Sequence, residues 1–228
     1  MSRLTVLAGA GCIWALWSSF QSPSNSRDVA SRQILSISEE KDRVVLGWSG
    51  PVQEPMSERV AAALDRYKTD RRRLVLILNS PGGSVEHGRK VVGAIHARDR
   101  AIDTFVQKAG VCASMCVPIF LAGRERMADP EAYFMFHQVS LGGSARENTK
   151  RRVLSESEKA FLSETAKTIE ARATDAFFRS DIGIRGVNVA WLARMREKIS
   201  GRDIWMSGQQ LVDEGSGIVD RLIRTPDR

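Results

Sequence analysis

Residues 74–84 read Leu-Val-Leu-Ile-Leu-Asn-Ser-Pro-Gly-Gly-Ser, and this stretch decides the fold class. Its first five side chains are all apolar, which predicts a strand buried on both faces of a parallel sheet. The proline and the two glycines predict a sharp turn, and residues 85–97 then place Val and Ile at helical spacing. A strand, a double-glycine turn and a helix can present unpaired backbone N–H groups to a negatively charged oxygen.

The same alternation of strands and helices continues on both sides of this stretch. Strands are predicted over residues 44–46, 102–106 and 133–136, and helices over residues 57–67 and 114–121. Strands that alternate with helices favour an α/β fold built from stacked right-handed βαβ units. A chain of 228 residues suits one such domain with an extension.

Two polar residues fall where acyl-transfer chemistry needs them. Ser114 lies in the bend that opens an apolar helix, and His137 follows directly on a buried strand. An imidazole can take the proton of a serine hydroxyl, and the alkoxide then attacks a carbonyl carbon. Considered separately, the serine could instead cap its helix, and the histidine could be a core residue whose ring nitrogens are hydrogen-bonded within the protein.

Four short motifs follow one another along the chain. They are Leu-Asn-Ser-Pro-Gly-Gly at 78–83, Ala-Ser-Met at 113–115, Phe-His-Gln at 136–138, and Arg-Asp-Ile-Trp-Met-Ser at 202–207, followed by Gly-Ile-Val-Asp at 217–220. In the order and approximate spacing of these motifs, the chain over residues 42–224 resembles the proteolytic subunit of the Clp protease and its relatives in the Clp/crotonase superfamily. The resemblance implies a Clp/crotonase-like α/β fold with a protruding helical handle.

The resemblance also implies a role for each residue that matches a motif. Ser114 would be the nucleophile, His137 the general base, and Asp203 the acid that orients the histidine. The backbone amides of Gly83 and Met115 would form the oxyanion hole. Together these residues predict a Ser-His-Asp serine hydrolase.

Residues 138–200 are predicted to form the handle insertion. A capping box at residues 155–158 starts a long helix whose apolar side chains lie broadly on one face, and a second helix covers residues 189–198. In the family the handle helix mediates contacts between subunits, so the resemblance implies a homo-oligomer. Asp181 also lies in this segment and is the alternative acid for orienting His137.

The beginning of the chain is predicted to be a targeting segment that precedes the fold. A short positive start is followed by uncharged, mostly apolar sequence over residues 4–17 and by a polar, serine-rich stretch over residues 18–27. This pattern is typical of a signal peptide or signal anchor, assigned to residues 1–22, with a linker over 23–41 and the hydrolase domain over 42–228. The domain is therefore expected outside the cytoplasm, either periplasmic or anchored in the inner membrane. The alternative is a buried amphipathic helix.

The chain has three cysteines. Cys12 lies in the targeting segment, whereas Cys112 and Cys116 flank the candidate nucleophile. In an oxidising compartment this pair could form a disulfide, because one helical turn separates Cα atoms by about 6 Å. Two small buried thiols are the alternative. Since no further cysteine and no nearby histidine completes a ligand set, no metal is expected, and no cofactor is expected either.

The charge and composition of the chain indicate which classes of partner it is expected to bind. The formal net charge is +7, but the basic clusters at residues 71–73 and 150–152 have no interleaved aromatic side chains. Both are interpreted as solvated surface, so no nucleic acid is expected as a partner. The predicted function is a serine-type peptidase that works without ATP in isolation and cleaves exported or membrane-adjacent proteins. The alternative is a non-catalytic module that binds peptides along its sheet edge or takes part in assembly.

Overall fold

A computed structural model describes residues 33–98, 101–140, 155–184 and 186–225. In chain order its strands are β1 (Ile34–Glu39), β2 (Arg43–Ser49), β3 (Arg73–Asn79), β4 (Ile102–Val106), β5 (Val111–Ala113), β6 (Arg126–Ala128), β7 (Tyr133–Phe136), β8 (Ile204–Ser207) and β9 (Arg221–Leu222). Its helices are α1 (Met56–Arg66), α2 (Val85–His96), α3 (Cys116–Leu121), α4 (Glu156–Phe177), α5 (Val189–Lys198) and α6 (Gly208–Asp213). One π-helical turn, Phe178–Ile182, follows α4 directly.

The strands form two sheets. The larger sheet has six strands in the order β1-β2-β3-β4-β6-β9, and every neighbouring pair in it is parallel except β1 with β2. The smaller sheet has three strands in the order β5-β7-β8, in which β5 and β7 are parallel and β8 runs antiparallel to β7. Strands joined through helices in this way account for the predicted βαβ units.

The apolar run of β3 is buried on both faces, as its sequence predicts. On one face its side chains join the main core, to which Leu64 of α1, Val91 of α2 and Phe120 of α3 also contribute. On the other face Val75 and Ile77 pack in a second cluster made by strands of the larger sheet. Burying each such side chain contributes about 1.5–3 kcal/mol, so the unbroken run fixes β3 at the centre of the sheet.

Several elements have the predicted bounds. Strands β4 and β7 and helix α5 begin and end where the sequence pattern places them. The predicted capping box is formed at the start of α4, where the Ser155 side chain accepts the N–H of Glu158 and the Glu158 side chain accepts the N–H of Ser155.

Two expectations are wrong. The stretch interpreted as a linker, residues 23–41, contains β1, because an antiparallel edge strand needs burial on only one face and tolerates the serines between its apolar residues. The helix predicted from Ser114 begins instead at Cys116. Ser114 has a φ of 53°, which lies in the left-handed region and cannot continue a right-handed helix.

The predicted surface cluster at residues 71–73 is held by acidic neighbours. Arg72 pairs with Glu39 and Asp70, and Arg73 pairs with Asp103. These ion pairs satisfy the two guanidinium groups within the chain. The second basic cluster, at residues 150–152, lies outside the described residues.

Within the described ranges, no helix combines the length and the apolar character needed to cross a membrane. The targeting segment predicted over residues 1–22 lies outside those ranges.

Candidate active site

The glycine turn after β3 and the serine bend after β5 are joined by backbone hydrogen bonds. The N–H of Ser80 donates to the carbonyl of Val111 over 2.7 Å, and the N–H of Ala113 donates to the carbonyl of Ser80 over 3.0 Å. The side chain of Asn79 accepts the N–H of Val111 over 3.1 Å. These bonds bring two segments that are distant in sequence into one fixed arrangement.

Gly82 is the point of closest approach between the two segments. A Cβ atom at this position would lie 2.5 Å from the carbonyl oxygen of Ala113 and 2.7 Å from Cβ of Ser114. Its φ of +86° also lies in the region that favours glycine. The double-glycine motif was therefore informative, but the motif alone indicated a role only for Gly83 and gave no sign that Gly82 contacts the serine.

Gly83 is held by the segment that follows β2. The N–H of Val52 donates to the carbonyl of Gly82 and the N–H of Ser84 donates to the carbonyl of Val52, each over 2.8 Å. A Cβ atom on Gly83 would lie 2.5 Å from the carbonyl oxygen of Val52. These bonds and this close contact hold the backbone of the turn in place, and they therefore fix the direction of the Gly83 N–H.

Ser114 stands at the apex of a tight bend between β5 and α3. Its N–H donates to the carbonyl of Met135 and its own carbonyl accepts the N–H of Val117, both over 2.9 Å. A non-glycine residue in the left-handed region costs about 1–3 kcal/mol, and such strain concentrates at functional sites. The bonds on both sides keep Ser114 in this conformation while its side chain stays partly exposed.

The amides of Gly83 and Met115 lie at the glycine turn and at the serine bend, where Gly83 is exposed and Met115 is buried. Neither N–H donates a hydrogen bond to another residue of the described ranges. The Met115 nitrogen lies 3.1 Å from the point where a Cβ atom on Gly82 would be, so it is directly beside the glycine turn. The Met115 side chain packs where a Cβ on Gly88 would be, so a second glycine accommodates this residue.

His137 and Asp203 are brought opposite each other by strand register. Phe136 of β7 pairs with Ile204 of β8, so the next positions beyond the antiparallel ladder are His137 and Asp203. The N–H of Gly201 donates to the side chain of Gln138 over 3.3 Å and ties the same two chain segments together. Asp203 is exposed, whereas His137 is half-buried.

Burial lowers the pKa of His137 below its ordinary value of 6.5, and the negative charge of Asp203 raises it partway back. Desolvation disfavours the charged imidazolium, so the neutral imidazole predominates at neutral pH. A neutral imidazole is the form that a general base requires. The electrostatics of this site therefore suit His137 to accept a proton.

The three predicted catalytic side chains are not yet hydrogen-bonded to one another. Within the described ranges, no hydrogen bond joins Ser114 to His137 or His137 to Asp203. Catalytic hydrogen bonds are often long in a free enzyme and shorten when substrate binds. The alternative acid, Asp181, is occupied by Arg89, whose Nε and Nη2 donate to its two carboxylate oxygens over 2.8 and 2.7 Å.

The two predicted cysteine neighbours of Ser114 are joined. The sulfurs of Cys112 and Cys116 form a disulfide, with Cα atoms 5.1 Å apart, and both residues are fully buried. Cys112 belongs to β5 and Cys116 is the first residue of α3, so the bond closes a ring whose middle residue is Ser114.

One group of potential metal ligands occurs elsewhere among the described residues. Glu54, Glu58 and His87 have ligand atoms within 4.8 Å of one another, at the starts of α1 and α2. His87 Nδ1 is 3.0 Å from the hydroxyl of Ser57, and its side chain is only 17% exposed. The two carboxylates are exposed.

A serine at a strained bend, a glycine turn with free amides, and a histidine with a lowered pKa are typical of serine hydrolases. Residues 28–174 match the family described as Clp protease. This range covers well over half of the chain and includes Ser114 and His137, whereas Asp203 lies beyond it. The chain belongs to the Clp protease family, and it is a serine-type peptidase.

Similar proteins extend the match along the chain. The ATP-dependent Clp protease proteolytic subunit of Streptococcus sanguinis is 29% identical over 195 residues, covering 83% of this chain and 87% of that protein. The subunit of the same description from Ligilactobacillus salivarius is 29% identical over 189 residues, covering 81% and 84%. A solved structure of a ClpP1 mutant from Listeria monocytogenes has a TM-score of 0.53 at 20% identity, covering 80% of this chain and 91% of that one. This likeness confirms a Clp protease-like α/β fold.

Proposed function

We propose that this peptidase cleaves exported or membrane-adjacent proteins with Ser114 as nucleophile, His137 as general base and Asp203 as the acid that orients the histidine. The amides of Gly83 and Met115 bind the oxyanion. The observation that carries the proposal is the contact of the Gly82 turn with the Ser114 bend, which places two unpaired amides beside a strained serine.

The chemistry follows from this arrangement. His137 takes the proton of the Ser114 hydroxyl as the oxygen attacks the scissile carbonyl, and the amides of Gly83 and Met115 stabilise the negative oxygen that forms. His137 then gives its proton to the leaving amine, which departs and leaves an ester on Ser114. Water, deprotonated by His137, hydrolyses that ester and restores the serine. Each step uses only water and the side chains and backbone amides of this chain, so peptide cleavage in isolation needs no ATP.

The test is covalent labelling with a fluorophosphonate, a probe that phosphonylates activated serines, in the absence of nucleotide. Folded wild-type protein should be labelled at Ser114, and Ser114→Ala should show no label above background, because alanine has no oxygen to modify. Peptide mapping by mass spectrometry locates the label. Equal labelling of both proteins would remove Ser114 as nucleophile. An unlabelled, folded wild type would favour the non-catalytic peptide-binding module instead.

We infer that the domain works outside the cytoplasm, in the periplasm or anchored to the inner membrane by the segment at residues 1–22. Two features support this location: the apolar, weakly positive start of the chain and the Cys112–Cys116 disulfide, since disulfides persist mainly in oxidising compartments. A reporter that is active only after export, fused behind Arg228, should be active. The same fusion lacking residues 1–22 is the control, and equal signals from the two would contradict export.

We infer further that the chain forms homo-oligomers through the handle helix α4. Most of this 22-residue helix is exposed, including the apolar side chains of Phe161 (70% exposed), Leu162 (41%) and Ile169 (46%). An apolar face of this kind is stabilised when a second copy covers it. Sedimentation velocity of the purified chain measures the assembly directly, and a monomer at micromolar concentration would contradict it.

A further inference from the structure

We propose that the Cys112–Cys116 disulfide is a positioning element of the catalytic site, which holds the Ser114 hydroxyl and the Met115 amide in their reactive orientation and makes catalysis depend on the oxidised state. The proposal rests on the function assigned to Ser114 above. It goes beyond that function, because it makes two residues that never touch the substrate a condition for turnover.

The Ser114 hydroxyl and the Met115 amide are held less firmly than the backbone around them. The backbone of Ser114 is anchored through its N–H to Met135 and through its carbonyl to Val117. Neither the Ser114 hydroxyl nor the Met115 N–H, however, forms a hydrogen bond with another residue in the described part of the chain. The backbone torsions of the bend therefore set the direction of the Met115 N–H and of the Ser114 Cα–Cβ bond that carries the hydroxyl. Any constraint on those torsions is a constraint on the catalytic geometry.

The disulfide is such a constraint. It connects Cys112, the middle residue of β5, to Cys116, the first residue of α3, and Ser114 with its φ of 53° is the middle residue of the ring that it closes. Closing a ring this short removes little conformational entropy from the unfolded chain, compared with the long loops that most stabilising disulfides close. Its main effect is therefore on the local path of residues 113–115 rather than on global stability.

Close packing makes the bend sensitive to the state of the sulfurs. Cys112 and Cys116 are both 0% exposed, so the bonded pair fills a closed part of the core. Gly82 already lies against Ser114, and Gly88 against the side chain of Met115, without room for a Cβ atom at either glycine. Two separate thiols need more space than a bonded pair. In a packed interior that space comes from displacement of the backbone between them.

Reduction of the Cys112–Cys116 disulfide converts the bonded pair into two thiols. A dithiol donates two electrons: one of its thiolates attacks a protein sulfur, the second thiolate resolves the mixed disulfide, and the products are a cyclic disulfide and two protein thiols. The bend would then lose its covalent closure while its hydrogen bonds to Met135 and Val117 remain. We expect a folded protein whose serine and oxyanion donor are misaligned.

The experiment uses the full chain carrying Cys12→Ser, which removes the one other cysteine and leaves the catalytic residues untouched. The kcat and KM for a fluorogenic peptide, the labelling rate with a fluorophosphonate and the melting temperature are measured before and after treatment with dithiothreitol. Mass spectrometry after alkylation in denaturant counts the thiols. A second protein, Cys112→Ala/Cys116→Ala in the same background, cannot form the bond and serves as the redox-insensitive control.

Reduction should lower kcat by at least about tenfold with KM changed less than about twofold, because small displacements of reacting groups cost rate more than binding. Reoxidation should restore kcat, and the double variant should be as slow as reduced protein and indifferent to dithiothreitol. An unchanged kcat in protein with two counted thiols, or in the double variant, would overturn this proposal alone. A loss of kcat that follows loss of folded protein would overturn it too. Oxidised protein that fails to label at Ser114 would overturn the proposed function and this inference with it.

Discussion

The variants Ser114→Ala and His137→Ala are each expected to lose at least about 1,000-fold in kcat/KM, and the double variant to lose little more than either single one. The reason is that the two residues act in one step: the histidine has no proton to take once the serine oxygen is gone. Kinetics with a fluorogenic peptide measure all three proteins, and circular dichroism confirms that each is folded. Losses that multiply in the double variant would show that the two residues act independently.

Kinetic measurements with the same peptide also test whether Asp203 orients His137. Because burial holds the pKa of His137 below 6.5, the rise of kcat/KM with pH should have its midpoint below that value. Asp203→Asn should lower kcat/KM by more than about tenfold, yet by less than loss of the histidine. The negative charge of Asp203 raises the pKa of His137, so its removal should move the midpoint to still lower pH. A midpoint that moves upward, or near-normal turnover, would exclude Asp203 from this role.

Gly82→Ala is expected to reduce kcat/KM by about 100-fold or more, the scale of a displacement of about 1 Å at a reacting group. The new Cβ would lie 2.5 Å from the carbonyl of Ala113 and 2.7 Å from Cβ of Ser114, and most of that contact is with backbone that cannot rotate away. The φ of +86° adds strain for any residue with a side chain. Melting temperature and kcat/KM measured together separate the loss of catalysis from the loss of stability.

The matched control is Gly93→Ala, which makes the same chemical change on the exposed side of α2. A Cβ at Gly93 meets no atom within 4 Å. Activity should therefore be unchanged, and the helix should gain roughly 0.5–1 kcal/mol from the replacement of a glycine in its interior. A Gly82→Ala protein as active as Gly93→Ala would show that the glycine turn does not position the serine.

The structural features that the sequence by itself determined depend on residues close together in the chain or on a strongly repeated pattern. The five apolar residues of β3 have no polar face, so a buried central strand is the only place that suits them. The bounds of β4, β7 and α5 follow from short apolar patterns ended by polar residues, and the capping box of α4 is readable from two residues three apart. The order of the motifs was sufficient to identify the Clp protease family, which the comparisons confirmed.

What only the tertiary structure decided depends on pairing between distant segments. Strand β1 is serine-rich and becomes a strand only because β2 offers it an edge, and β5, β6 and β9 are two or three residues long, too short for any periodicity to register. The spacing of Cys112 and Cys116 left a disulfide and two thiols equally open, until the bend between them set the direction of their side chains.

The candidate site illustrates the same division. Residue type and motif order pointed to Ser114, His137 and Asp203, but their relation in space comes from the antiparallel register of β7 and β8 and from the fit of Gly82 against the serine. A register is a property of two strands together, and a close approach between backbones is a property of two loops together. Neither is encoded in one stretch of sequence, because the free energy that selects them is released only when the segments pack.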